Sequence, residues 1–385
     1  MNDFESENEI PLLGESDQTI SLFRPHIPQS AKIEVLDTLS SRWIGQGPKV
    51  ELFEKKFADK FCGNLPGIAV GSGTDALHIA YLLAGIKSGD EVLTPVFTCT
   101  ATNIPLLYIG AVPVFVDVEE KTLNMDVNDI EHRITAKTKA IVCVHYGGLV
   151  CEMDEIHRIA KKYGLLVIED AAHAVGARYK NSTVGEMSDF TMFSFQAIKH
   201  ITTGDGGYLA IRDPNLLEEA KRIRWFGIDR SKKQLGIWEN DITEVGYKYQ
   251  MTDLGASIGL ASINEFDATL SHRRSLLMEY MSNINESDNL TILSKETSDT
   301  YHAAWLFTIR CRNRRKLQAH LARNGVESNQ VHYRNDRYSI FGNRRLDLPT
   351  MDKIEDEYLV LPLHTHMSIN DVDRICRLVN QFTQA

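Results

Sequence analysis

The sequence predicts an α/β fold with a mostly parallel central sheet and a smaller C-terminal α+β domain, on three observations. From residue 67 to residue 211, short apolar runs alternate with stretches of helical period, the spacing of strands joined by crossover helices. The run 165–168 is continuously apolar and ends in Glu169-Asp170, as a strand buried on both faces does. Beyond about residue 285 the order changes to short strands mixed with helices. At 385 residues the chain exceeds one core. The expected divisions are an N-terminal arm 1–30, a large domain 31–284 and a small domain 285–385.

Taken in order, residues 1 to about 20 are acidic and poorly patterned, and 24–30 carry two prolines, which reads as a mobile arm that packs on a partner subunit. Helical period follows at 31–41 and, after a Gly/Pro break at 45–48, at 50–61, with Leu52, Phe53, Phe57 and Phe61 facing inward. Strands are predicted at 68–70, 91–94, 113–118, 140–144 and 165–168, with helices at 75–84, 101–109 and 153–163, the last stopped by Gly164. Then come an apolar run 190–195, a strand 208–211, a helix 215–224 and a long polar segment to Tyr249, too extended for a plain connector. A helical stretch from about 252 past 274, a strand within 301–310, and helices at 314–323 and 369–382 complete the chain.

Composition removes several classes of function. The chain carries 42 Lys and Arg against 52 Asp and Glu, a net charge of -10, with no basic block to track a phosphate backbone, so nucleic acid is not an expected partner. Acidic residues crowd the first twenty positions without a single Lys or Arg, and no apolar run reaches membrane-spanning length; the expectation is a soluble, cytoplasmic protein without a membrane partner. The 6 cysteines lack paired spacing, which fits reduced thiols rather than a disulfide frame or a metal site.

The chemistry concentrates around Lys199, where an apolar run meets a hydroxyl and glycine cluster, TTGDGG at 202–207. An amine in a water-poor pocket loses part of its preference for charge and becomes a nucleophile toward carbonyls. The same residues read equally as an exposed loop lysine. GSGTDAL at 71–77 follows a short strand and opens a helix, whose free amides suit a phosphate; an ordinary capped helix start, with Ser72 or Thr74 as cap, gives the same pattern. Ser194 adds a hydroxyl, and Asp170 puts a carboxylate at a strand's end, where a protonated ring nitrogen is one possible partner. A lysine for a Schiff base, a carboxylate for a pyridinium and a helix end for a phosphate are what pyridoxal 5'-phosphate needs.

The stretches GSGTDAL (71–77), GDEVLTPVFTCTATN (89–103), GAVPVFVDV (110–118), VIEDAAHAVGA (167–177) and SFQAIKHITTGDGG (194–207) resemble the DegT/StrS nucleotide-sugar aminotransferases, pyridoxal-phosphate enzymes of the aspartate-aminotransferase fold type I. The resemblance runs from Trp43 to the C-terminal helix. It implies Lys199 as the Schiff-base lysine, Asp170 as partner of the ring nitrogen, Gly73, Thr74 and Ser194 around the phosphate, and His173 beside the ring. Where the family places an aromatic residue on the ring, this chain has Cys99, with Phe97 as the candidate replacement. In the loop 246–251, where relatives carry Asn and Arg and reach the neighbouring subunit's phosphate, Lys248 and Gln250 stand, and Lys248 serves as a point charge. The family's HYxPxH appears as 332–337 without its proline and second histidine, leaving His332, Arg334 and Arg337 as substrate-binding candidates.

What the resemblance implies is amination at C4 of a nucleotide-linked 4-keto-6-deoxy sugar with L-glutamate as donor, for cell-surface polysaccharide such as lipopolysaccharide O-antigen, by a homodimer with shared sites. The weighed alternatives are 3-amination of a 3-keto sugar, a pyridoxal lyase or desulfurase using a thiol such as Cys99, and a non-catalytic regulator on the same fold. No metal is expected.

Overall fold

A computed structural model of the chain describes residues 10, 11, 13, 19–239, 241–293 and 295–384. The central sheet has seven strands: β1 (Gly67–Val70), β2 (Glu91–Pro95), β3 (Val112–Val116), β4 (Thr138–Val144), β5 (Leu166–Asp170), β6 (Phe190–Ser194) and β7 (Gly207–Ile211). Their order is β1-β7-β6-β5-β4-β2-β3, and every pairing is parallel except those made by β7. Helices of eight residues or more are α1 (Gln29–Ser40), α2 (Pro48–Phe61), α3 (Gly73–Leu83), α4 (Thr100–Tyr108), α5 (Met153–Tyr163), α6 (Leu217–Arg224), α7 (Asp253–Asn283), α8 (Arg314–Arg323) and α9 (Ile369–Gln384). A second sheet joins β8 (Leu290–Ile292), β9 (Phe307–Cys311) and β10 (Tyr358–Leu361) in antiparallel fashion.

Parallel strands bring their carboxyl ends to one edge, and the register decides what gathers there. Asp170 pairs with Val144 on one side and Met192 on the other. Antiparallel β7 starts at the same edge, so Gly207 faces both Ser194 and Val70. Val70 is the last residue before the turn that opens α3.

α2 buries Val50, Phe53, Phe57 and Phe61, a stripe at helical spacing, while Leu52 lies 45 % exposed. The expectation that Leu52 points inward is therefore corrected: one residue before Phe53, it is turned about 100° away from the stripe. The expected domain boundary at 284/285 lies at the end of α7, but the apolar side chains of this 31-residue helix change cores earlier. Residues up to Leu270 pack under the large sheet, and Leu276, Leu277 and Tyr280 pack with β8 to β10. The small domain also reaches back, since Tyr333-Arg334 pairs with Phe97-Thr98.

Most of the expected arm, residues 1–9, 12 and 14–18, lies outside the described residues. From Ile20 the chain packs on its own small domain: Ile20 bridges Val326, and Leu22 N donates to Glu327 Oε2 at 2.9 Å. Among the described residues no helix is long and apolar enough to cross a membrane.

Candidate active site

Lys199 lies five residues past the end of β6, in the turn that returns the chain to β7, and its Nζ stands 3.6 Å above the ring centre of Trp305. Burial pulls its pKa from 10.5 down to about 7, against the opposing charge of Asp170. The amine is thus available as a neutral nucleophile near neutral pH.

Asp170 is buried, and burial raises its pKa above the usual carboxylate range. Two hydrogen bonds oppose that rise: Thr102 Oγ1 donates to Oδ2 at 2.7 Å and Ala172 N donates to Oδ1 at 3.1 Å. Thr102 is in turn 2.8 Å from Thr98 Oγ1, so the carboxylate is aimed by side chains from α4 and the strand before it. A buried carboxylate held in this way has room for a cationic donor.

At the phosphate end, Ser72 caps α3 by accepting from Asp75 N at 3.0 Å, which decides between the two candidate caps. Gly73 and Ser194 are in close approach: a Cβ on Gly73 would lie 3.2 Å from Ser194 Cβ and 3.5 Å from its Oγ. A Cβ on Gly207 would fall 2.5 Å from Ser72 O and 2.7 Å from Gly73 N. The amides of the α3 terminus, half-buried Thr74 and the Ser194 hydroxyl thus form one glycine-lined cradle, and the helix dipole favours an anion in it.

Three rings wall the lysine. His173 stacks on Trp305 with ring centres 3.7 Å apart and on His332 at 5.3 Å. Gly147 N donates to His173 Nδ1 at 3.3 Å, so the His173 proton sits on Nε2 and points to His332 Nε2, 3.4 Å away. Burial, aided by Lys199 when it is protonated, holds both imidazoles down, His173 well below its usual range and His332 at about 3. Trp305 was missed in the sequence, where an aromatic inside the apolar run AAWLF reads as core. Its segment is held by Arg273, which donates to the carbonyls of Ala304 and Trp305 at 2.8 Å, and by His200, 2.7 Å from Ala303 O. The Trp305 indole N–H is buried without a partner.

The expectations for Phe97 and Arg334 are corrected. Phe97 does not replace the stacking aromatic; it is buried between Tyr146 and Tyr358, with ring centres at 5.0 and 4.9 Å. Cys99, half-buried at the N-terminus of α4, contributes to the field at Lys199, where aromatic walls come instead from Trp305 and His332. Arg334 is not poised for substrate: its guanidinium is 2 % exposed and tied to Asp336 at 2.7 Å, to Asp352 and to Glu355. A buried cation needs such counter-charges, and they leave it structural. Arg337 is exposed, over Tyr333 at 4.7 Å, and lines a cavity of about 470 Å³ with Arg344. Lys248 lies on Trp225 at 3.8 Å, outside the ring cluster.

The donor set fits pyridoxal 5'-phosphate, and the site on this sheet edge defines a fold type I pyridoxal-phosphate enzyme. The sequence profile of the DegT/DnrJ/EryC1/StrS aminotransferase family matches residues 25–380. GDP-perosamine synthase of Escherichia coli O157:H7 is 35% identical over 367 residues, 94% of this chain and 98% of that protein. Among solved structures, Streptococcus pneumoniae Spr1654 in its PLP form superposes with a TM-score of 0.89 at 29% identity, covering 95% of this chain and 99% of that one. Sugar aminotransferase CalS13 from Micromonospora echinospora gives 0.88 at 29% identity, over 94% and 99%. The chain belongs to the DegT/DnrJ/EryC1/StrS family and is a pyridoxal-phosphate-dependent sugar aminotransferase.

Proposed function

We propose that this enzyme moves the amino group of L-glutamate onto C4 of a nucleoside-diphosphate-linked 4-keto-6-deoxy sugar, in the cytoplasm, as a homodimer with shared sites, for cell-surface polysaccharide. The observation that carries the reading is the buried Lys199 amine, its pKa drawn down to about 7, among His173, Trp305 and His332, with Asp170 buried beside it. Bound in the cradle, pyridoxal phosphate supplies an aldehyde that condenses with amines and a pyridinium that withdraws electrons from the adjacent carbon.

The chain's residues do the rest. Gly73, Thr74 and Ser194 hold the phosphate, and Lys248 serves a phosphate across the dimer as a point charge. Asp170 keeps a proton on the ring nitrogen, its carboxylate aimed by Thr102. Lys199 Nζ, near its pKa at neutral pH, takes a proton from one carbon and returns it to another. Trp305, His173 and His332 exclude water from that transfer. A dianionic nucleotide tail must lie outside this pocket, where Arg337 stands in a cavity of about 470 Å³ and Arg230 in one of about 430 Å³, while Arg344 and Arg222 beside them are paired with Glu355 and Glu244.

Support for a sugar nucleotide comes from the GDP-perosamine synthase relative, and for C4 from the run TTGDGG after the lysine, which resembles 4-aminating members. The test incubates enzyme, glutamate and a panel of 4-keto and 3-keto sugars on GDP, dTDP or UDP, follows 2-oxoglutarate, and locates the amine by NMR. The expected product is the 4-amino sugar; amination only at C3, or of no sugar nucleotide, overturns the reading.

A further inference from the structure

Behind the Asp170 strand, three soft donors meet on the seam between β4 and β5. The Sγ atoms of Cys143 and Cys151 and a ring nitrogen of His145 lie within 4.8 Å of one another, and all three residues are buried. Glu169 Oε2 lies 2.8 Å from His145 Nε2, which fixes the proton there, and Cys151 N donates to Nδ1 at 3.2 Å, a hydrogen bond that an ion on Nδ1 replaces. Met153 Sδ stands 3.9 Å from Cys143 Sγ. We propose that Cys143, His145 and Cys151 form a three-donor site for a thiophilic d10 metal ion, zinc or copper(I), separate from the pyridoxal chemistry.

Four features of the cluster argue for an ion. Two thiols and an imidazole are the donor set such ions select, and a thioether within reach suits copper(I) further. A carboxylate on the far ring nitrogen is the arrangement that orients metal-bound histidines. Binding replaces the two thiol protons, one of which now points from Cys151 Sγ to Val144 O at 3.2 Å, and releases them to solvent. Two thiolates then balance a divalent ion, or leave one negative charge with a monovalent one, so no bare cation is buried. Among the described residues no other group of metal-ligating side chains gathers in this way with cysteine and histidine.

The site would act on the enzyme through the turn it closes. Residues 145–151 leave β4 and carry Gly147, whose N–H supports His173 and whose carbonyl accepts from Trp305 N and Leu306 N at 3.0 Å each. An ion held by Cys143 and Cys151 pins both ends of that turn, and with it two of the rings around Lys199.

The test uses holoenzyme expressed in zinc-supplemented and in copper-supplemented medium and purified without chelator or metal-affinity tag. Plasma mass spectrometry should find about one thiophilic ion per chain, and X-ray absorption should show a first shell of sulfur and nitrogen at either the zinc or the copper edge. Cys143→Ser and Cys151→Ser should each lower that content at least about tenfold, while Cys376→Ser leaves it unchanged. Should the serine variants fail to fold, the first shell of the wild-type protein decides. Substoichiometric metal from both media, a shell without sulfur, or full retention in the folded double variant overturns the site.

Discussion

Lys199 and Asp170 are each pushed toward their neutral forms by burial, the condition of a pocket whose charges are balanced by a guest. Lys199→Ala should leave the protein folded, abolish turnover and remove the absorbance of lysine-bound cofactor; borohydride fixation mapped to a different lysine would contradict the assignment. The shift also sets a pH dependence. In the cofactor-free protein the native Lys199 pKa is about 7, while the unfolded chain titrates near its ordinary value of 10.5. Between those values the unfolded state binds one more proton, so stability rises with pH across the window by up to about 1.4 kcal/mol per unit. Relative to wild type, Lys199→Met should lose that slope in denaturant titrations from pH 7 to 10, and parallel curves would argue for a charged amine. Thr102→Val removes the 2.7 Å hydrogen bond to Asp170. A bond to a charged group is worth about 1.5 to 3 kcal/mol, so kcat should fall roughly tenfold to a hundredfold with little change in KM for the sugar.

At the scale of elements, the turn between β1 and α3 is built by backbone approach rather than by side chains. Gly207→Ala places a methyl within 2.5 Å of a Ser72 carbonyl that has no freedom to move, so the cradle opens. Affinity for pyridoxal phosphate should drop at least about tenfold in a cofactor titration, with activity largely recovered at saturating cofactor; unchanged affinity would detach the cradle from the phosphate. α2 offers a test of packing. Phe57 touches Phe53, Phe61, Phe193, Phe195 and Tyr208, with ring centres between 4.7 and 5.8 Å. Phe57→Ala should cost about 3 to 5 kcal/mol, and Leu52→Lys in its exposed position no more than about 0.5 kcal/mol in a single chain.

At the scale of the whole molecule, apolar surface is left over. Ile33, Leu36 and Leu39 on the outer face of α1 are 72, 64 and 52 % exposed, and Leu235, Ile237 and Val245 are exposed in the segment that follows α6. Faces of this kind mark association, and they motivate the proposed homodimer. Ile33→Asp with Leu36→Asp should shift sedimentation from dimer toward monomer and reduce activity together with it. An active wild-type monomer would remove the shared-site proposal.

What the sequence by itself determined was local in origin. Helix caps, the αL stop at Gly164, the 2.0 and 3.6 periodicities and the glycine runs at 71–77 and 202–207 act within a few residues, so the strands, helices and turns around Lys199, Asp170 and Ser194 were legible. Tertiary structure alone decided the rest, because the deciding partners are far apart in the chain. Trp305 reaches Lys199 across more than a hundred residues, so its place in an apolar run concealed it. Arg334 looked like a substrate contact until Asp352 and Glu355 closed on it from the helix beyond. Cysteines 143 and 151 had no metal spacing, yet His145 joins them once β4 turns back on itself. Periodicity fixes which face a residue takes; only packing fixes what stands opposite it.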